Sequence, residues 1–362
     1  MCSLRMVRSH LRFALLLTSL ASARGQVQIL HGPTEFLGRD ASVKQLTASA
    51  RGSLERGDLE GARSILERVL SREERNKQAR LALTDVLRRM KRWRDAADQA
   101  QILVQQYPSD TEPVYLLALI AMQRGDPHTA RELTGDCVAR GDNRPEVYKV
   151  LALSDYLLHD KANFESKIES ILRKNPRDAE AQYLLARYLF EEKRYGEALN
   201  RFHTVVAIQP DHYKAYYYSG LIYNANGDRE NAQTAWMTSI GIVERKQAVY
   251  GWPFADLGRA LSDAGETDQA IEWTSRGVRN DPACPKTYYE HARAIFQRRP
   301  EPEVKRALLE AIRLDPGYAD AYYMLGRYYK KVGEDQAGDQ ILDRFRDLKA
   351  HPVPSPYGLP RQ

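Results

Sequence analysis

The chain has 362 residues, 28% of them charged, and a formal net charge of +6. Arg5, Arg8 and Arg12 lie in a first stretch without acids, so its removal would halve that charge. A balance so small argues against nucleic acid, which needs a concentrated basic face. No His or Cys pair has metal-ligand spacing, so neither a metal nor another cofactor is expected.

Residues 1–23 read as a secretory signal peptide. A basic stretch, Arg5 to Arg12, precedes the apolar run Phe13 to Ala21, and Ala21-Ser22-Ala23 makes a small-x-small cleavage site. The run is too short to cross a bilayer, so no stable membrane span is expected after cleavage, and the chain is expected to be exported to a periplasmic or extracellular space. An uncleaved anchor and an Arg-rich organellar transit peptide are the readings left open beside it. Cys2 precedes the apolar core and is badly placed for lipid attachment. Residues 24–42 lack helical periodicity, contain Gly32-Pro33, and form a leader or an N-terminal cap.

From residue 43 a 34-residue period takes over. Ala62, Ala96, Ala130, Ala198 and Ala232 fall on one grid, as do Pro108, Pro176 and Pro210. After a four-residue insertion, Gln247 to Tyr250, the grid resumes with Ala270, Pro282 and Pro316. A period of this size means stacked supersecondary units, and length then says little about domain count. Nine units follow: 43–76, 77–110, 111–144, 145–178, 179–212, 213–246, 251–284, 285–318 and 319–349. Each reads as a helical hairpin. In the fifth, Tyr183, Leu184, Leu185, Tyr188 and Leu189 mark one helix, and Ala198, Leu199, Phe202, Val205 and Val206 the next, both at three-to-four-residue spacing. Gly57, Gly125, Gly227 and Gly265 supply the turn. At the eighth place stand Ala50, Ala118, Ala152, Ala186, Gly220, Gly258, Ala292 and Gly326, with only Thr84 larger. They oppose the grid alanines and let two helices approach closely.

Three places break the pattern. Phe164 and Val304 stand where the small alanine belongs, so their hairpins are expected to open or tilt. Arg299-Pro300-Glu301-Pro302 should shorten a helix of the eighth unit. The insertion 247–250 should change the curvature and divide the array into two functional halves. Cys137 and Cys284 lie four to five units apart, which argues against a disulfide. The tail 350–362, with Pro352, Pro354, Pro356 and Pro360, is expected to be extended and disordered.

The pattern resembles the tetratricopeptide repeat family over about 43–349, carried most clearly by Leu185, Ala186, Leu189, Tyr195, Ala198, Phe202 and Pro210, and by Tyr322, Leu325, Gly326 and Tyr329. The resemblance implies an all-α fold: a right-handed superhelical solenoid of helix-turn-helix repeats, its concave groove lined by places two, five, nine, twelve and thirteen of each first helix. At those places the second half of the chain repeats itself. Tyr183, Tyr217, Tyr289 and Tyr323 occupy the fifth, with Ala255 between them; Arg187, Arg259, Arg293 and Arg327 the ninth; Lys214 and Lys286 the second. Lys330 and Lys331 add charge, and Glu180, Asp256, Asp263 and Glu290 offset part of it.

Such a ladder suits an extended acidic peptide, tyrosine offering stiff contact area and arginine a two-pronged carboxylate grip. The same residues could instead pack on one another and pair with glutamates of adjacent helices. Micromolar binding needs about 8 kcal/mol, and four partly exposed arginine pairs supply at most about 4, so tyrosine burial would have to contribute most of the rest. Family members that hold chaperone C-termini need asparagine at the sixth place of one unit; here that place reads Ala48, Ala82, Leu116, Val150, Leu184, Tyr218, Asp256, Glu290 and Met324, which disfavours that role. There is no Walker or dinucleotide loop, no G-x-S-x-G elbow and no H-E-x-x-H. The expected function is a non-catalytic scaffold for a protein or peptide partner. The rival is an accessory or targeting subunit of an envelope enzyme or secretion assembly, using its convex face or ends. RNA reading by a related repeat fits the grid less well, and self-association through the ends is left open.

Overall fold

The computed structural model describes residues 41–353. The expected signal peptide, nearly all of the leader and most of the tail therefore lie outside the described residues. Among the described residues there are eighteen α-helices and no strand, the all-α repeat architecture that the periodicity implies.

The helices form two compact units, one ending at Pro176 and the other beginning at Arg177. The first holds four hairpins: α1 (Val43–Glu55) with α2 (Leu59–Arg72), α3 (Lys77–Arg89) with α4 (Trp93–Gln106), α5 (Thr111–Gln123) with α6 (Pro127–Ala139), and α7 (Pro145–Leu157) with α8 (Lys161–Lys174). The second holds five: α9 (Ala179–Glu191) with α10 (Tyr195–Ile208), α11 (Tyr213–Ala225) with α12 (Arg229–Arg245), α13 (Trp252–Asp263) with α14 (Thr267–Asn280), α15 (Pro285–Arg298) with α16 (Pro302–Leu314), and α17 (Ala319–Lys331) with α18 (Asp335–Ala350). The compact units thus part after the fourth hairpin and not at the insertion. The insertion is stitched in: the Tyr250 amide donates to Asn280 Oδ1 at 2.9 Å, Asn280 Nδ2 donates to the Ala248 carbonyl at 2.9 Å, and the Gly251 amide donates to Asp281 Oδ2 at 3.0 Å.

Inside each hairpin, the fifteenth place ends the first helix in the left-handed region. Gly57, Gly125, Gly227, Gly265 and Gly333 take it at φ 77–82°, and Lys91, His159 and Lys193 take it at 60–65° despite their Cβ atoms. The next place caps the second helix: Asp58 accepts from the Gly61 amide at 2.8 Å, Asp126 from Thr129 at 3.0 Å and Asp228 from Asn231 at 3.2 Å, satisfying donors the helix cannot. The eighth hairpin departs from this. Arg299 is extended at φ −166°, the conformation a residue before proline prefers. Its second helix starts at Pro302, one place later than elsewhere, and is thereby shortened at its N-terminus.

Packing within a hairpin is a matter of matched volumes. A Cβ added to Gly326 would stand 2.7 Å from Leu342 Cγ, and one on Gly220 or Gly258 would collide with Trp236 or Thr274. Each pair sets the eighth place against the twenty-fourth. The same register sets Ala186 against Phe202 and Ala152 against Ile168, all buried. The one larger residue in the series, Thr84, falls opposite the smallest, Ala100, and both are fully buried. Phe164 and Val304 are themselves buried, with the Phe164 ring meeting the edge of Tyr156 at 5.5 Å. At the eighth turn lies a cleft of about 340 Å³, lined by Ile271, His291, Ile295, Arg299, Glu301 and Glu303 among others.

Cys137 and Cys284 are buried free thiols, one in each compact unit. Burial pushes their pKa values up to about 11 and about 12, so neither carries the thiolate that reactivity needs. The described residues contain no cluster of metal-ligating side chains, and none of their helices is long and apolar enough to cross a membrane.

Candidate functional site

The tyrosine and arginine ladder lies on the first helices of the second unit, which touch one another in succession, most extensively α13 and α15. Its rungs differ sharply in what they are free to do.

At the N-terminal end Tyr183 is buried against Phe202 and His212, ring centroids 6.0 and 4.6 Å away. Arg187 is 7% exposed, with its guanidinium 4.2 Å from the centre of the Tyr218 ring. Its Nη2 lies 3.3 Å from Glu191 Oε1. His212 caps α11, Nδ1 accepting from the Ala215 amide at 3.1 Å, and burial lowers its pKa to about 4, keeping the ring neutral. Lys214 lies about 6 Å from the centres of the Tyr213 and Tyr250 rings, at 6.0 and 5.9 Å. Burial, and after it the charge of Arg187, lowers its pKa to about 8.

The middle rungs are neutralised from within. Asp256, wholly buried on α13 at the sixth place of the seventh unit, accepts from the Tyr217 hydroxyl at 3.0 Å and from Lys286 Nζ at 2.7 Å, with Arg259 Nη2 3.2 Å away. Arg293 pairs with Asp263, and its Nη1 lies 3.4 Å from Glu290 Oε2. That second contact is an ion pair by distance without hydrogen-bond geometry, since Glu290 Oε2 is buried with no hydrogen-bond partner. Burial raises the Glu290 pKa to about 7 although Arg293, Lys286 and Arg259 all pull it down. Tyr289 packs on Tyr318 at 5.0 Å.

The last rung is open. Tyr323 is 44% exposed, beside Phe345 at 5.2 Å. Arg327 is exposed as well, its guanidinium 5.8 Å from the Tyr323 ring centre and 6.0 Å from that of Phe296. Aromatic faces hold this cation in place while leaving its donors to solvent.

All ten ladder residues therefore sit on first helices of one compact unit, but two kinds of chemistry are mixed along it. Arg259, Lys286 and Arg293 hold the chain's own carboxylates together, whereas Tyr323 and Arg327 face outward. Sequence reasoning counted Asp256 and Glu290 only as partial offsets, and did not single out Tyr250 or Tyr218, the rings that close the N-terminal end. The signal for Asp256 was its carboxylate at a sixth place otherwise apolar until the seventh unit.

Models of the tetratricopeptide repeat match residues 53–120, 165–202 and 307–340. The chain carries tetratricopeptide repeats. Among solved structures, two crystal structures of MamA are similar to it. One is 21% identical over 45% of this chain and 96% of that protein at a TM-score of 0.41, the other 20% identical over 47% and 93% at 0.40. YrrB, described as a TPR protein with an unusual peptide-binding site, is 17% identical over 49% of this chain and 91% of its own at 0.38. No curated protein matches the sequence. Tetratricopeptide repeats make this chain a protein-interaction scaffold in the general sense, with a fold that is typically non-catalytic.

Proposed function

We propose that the chain is an exported, non-catalytic scaffold that binds an extended acidic segment of a partner protein along the first-helix face of its second unit. The observation that supports this best is the open rung, where the exposed Arg327 lies near two aromatic rings, Phe296 and the half-exposed Tyr323. Tyrosine and arginine of this kind dominate binding energy when a partner covers them.

A photo-reactive residue at Tyr323 should cross-link a partner carrying an acidic stretch, and Arg327→Gln should abolish that capture. Met237 on α12 and Leu309 on α16, exposed apolar residues of second helices, serve as controls. Cross-linking from those positions and not from Tyr323 would overturn the groove reading in favour of docking through the opposite face. Replacing Arg259 and Arg293 is a poor test. It removes one of the two cations on buried Asp256 and two of the cations that act on buried Glu290, and loss of binding would then follow from loss of structure. Export is tested separately, by whether a C-terminally tagged chain is recovered outside the cytoplasm with its first 23 residues removed; retention inside would remove that part of the proposal.

A further inference from the structure

Proline changes the chemistry of the eighth turn. In the seventh hairpin the Gly265 amide donates to the Ser262 carbonyl at 3.1 Å and the Glu266 amide to the Leu261 carbonyl at 2.9 Å, closing the end of α13. In the eighth, Pro300 stands in the place of Glu266 and has no amide to give. The Arg299 amide bonds to the Ile295 carbonyl instead, at 3.0 Å, and the Phe296 carbonyl lacks the turn bond that Ser262 receives. The last turn of α15 therefore keeps the partial negative charge of an unclosed helix end, and Ile295, Arg298 and Arg299 of that turn line the cleft.

His291 lines the same cleft and is 8% exposed. The Thr274 hydroxyl donates to the Ala270 carbonyl at 2.7 Å, so its oxygen is left to accept from His291 Nδ1 at 3.0 Å. In the neutral ring that leaves Nε2 as a bare acceptor. Burial, against the pull of Glu303, holds the pKa of the ring below its ordinary 6.5, so the neutral form prevails at neutral pH. Nε2 lies 3.5 Å from Glu303 Oε1, two acceptors with no proton between them. The neighbouring arginines are engaged elsewhere: Arg298 pairs with Asp268 at 3.0 Å, Arg299 pairs with Glu301, and Arg279 donates to Ser275 Oγ at 2.8 Å.

We propose that this cleft binds a basic side chain, a lysine or arginine of a partner protein, whose charged head donates to His291 Nε2 and Glu303 while its stem lies against Ile271 and Ile295. Long cationic side chains bury an apolar stem and carry their charge to a matched acceptor, and the cleft offers both kinds of lining. An anion would meet the Glu303 carboxylate and a nitrogen lone pair. The site uses no residue of the ladder and does not depend on the groove reading.

The test is nuclear magnetic resonance on the full chain at neutral pH, following the His291 ring signals, which are assigned by their loss in His291→Gln. The probe is a pentalysine peptide capped at both ends, with capped penta-acetyllysine and capped pentaglutamate as controls and cadaverine as a free diamine. Pentalysine should shift the His291 signals to saturation, and neither control should move them. Glu303→Gln, at a half-exposed position, should weaken binding about tenfold, the loss of one charge-assisted contact, whereas Arg327→Gln should bind as the wild type does. His291 signals unmoved by pentalysine, or equal affinity in Glu303→Gln, would overturn the site. Saturation by cadaverine at lower concentration than by pentalysine would overturn a partner's side chain as the occupant. Failure of the groove reading shows separately, in the cross-linking from Tyr323.

Discussion

Lys193 stands in the left-handed region at φ 60° in a turn where five other hairpins use glycine. Its Cβ opposes that conformation, and glycine would remove the strain while adding some freedom to the unfolded chain. Lys193→Gly should therefore stabilise by about 1 kcal/mol, seen as a higher urea midpoint at unchanged slope; a lower midpoint would show that the lysine side chain does something at that turn beyond occupying it. Glu290 bears on pH. Its carboxyl titrates near 7 in the folded chain against an ordinary 4.5, so the folded state binds more protons between those values and stability falls as pH rises from 4.5 to 7, by roughly 3 kcal/mol. His212 works the other way: with its pKa lowered from 6.5 to about 4, stability is lost as pH falls below 6.5. The wild type should hide both slopes. Glu290→Gln should expose the His212 slope, so that stability measured by chemical unfolding rises between pH 4.5 and 6.5; a profile unchanged by the substitution would contradict the raised pKa. None of this was legible in the sequence, because the register says which face a residue occupies and not which carboxylate reaches it from the next helix. Asp256 was visible as an acid at an apolar place, but not as the acceptor for Tyr217 and Lys286 and the ion-pair partner of Arg259.

At the scale of the helical hairpin, the sequence was far more informative. Small residues at a 34-residue spacing imply close helix pairs, and in the structure a glycine stands opposite the largest partner of the series, Trp236. Gly220 lies against Trp236, which is completely buried with its Nε1 unpartnered, so the indole has little room to move aside. Gly220→Ala should destabilise by about 1–3 kcal/mol. Thr84→Ala should cost less, because its hydroxyl only bonds back to the Arg80 carbonyl and the change leaves one small void. Thermal unfolding of the two variants compares them directly; equal shifts would mean that volume matching between the eighth and twenty-fourth places is not what holds the hairpins. Thr84 looked like an exception when the eighth place was read alone. It becomes regular once Ala100 is read with it, a pairing that the sequence contains and that only the helix contacts bring to notice.

For the whole molecule, the open question in the repeat pattern was what an off-period insertion does. Deleting Gln247 to Tyr250 would restore an unbroken 34-residue spacing, and if spacing alone set stability the deletion would be harmless. The structure argues the reverse. Tyr250 is 7% exposed and packs against Tyr213 at 5.2 Å and Tyr217 at 5.5 Å, while Asn280 and Asp281 at the end of α14 bond to the inserted backbone and its flank. Losing a buried aromatic ring costs about 3–5 kcal/mol, and the tyrosine pairs add to it. In a repeat array such a loss is felt chiefly by neighbouring units. Hydrogen exchange should therefore show α11 to α14 losing protection first in the deletion variant, with α1 to α8, in the other compact unit, retaining theirs. Protection lost evenly along the chain would mean that the division at Pro176 has no energetic counterpart, and protection unchanged throughout would mean that the period, and not the aromatic plug, is what the fold requires.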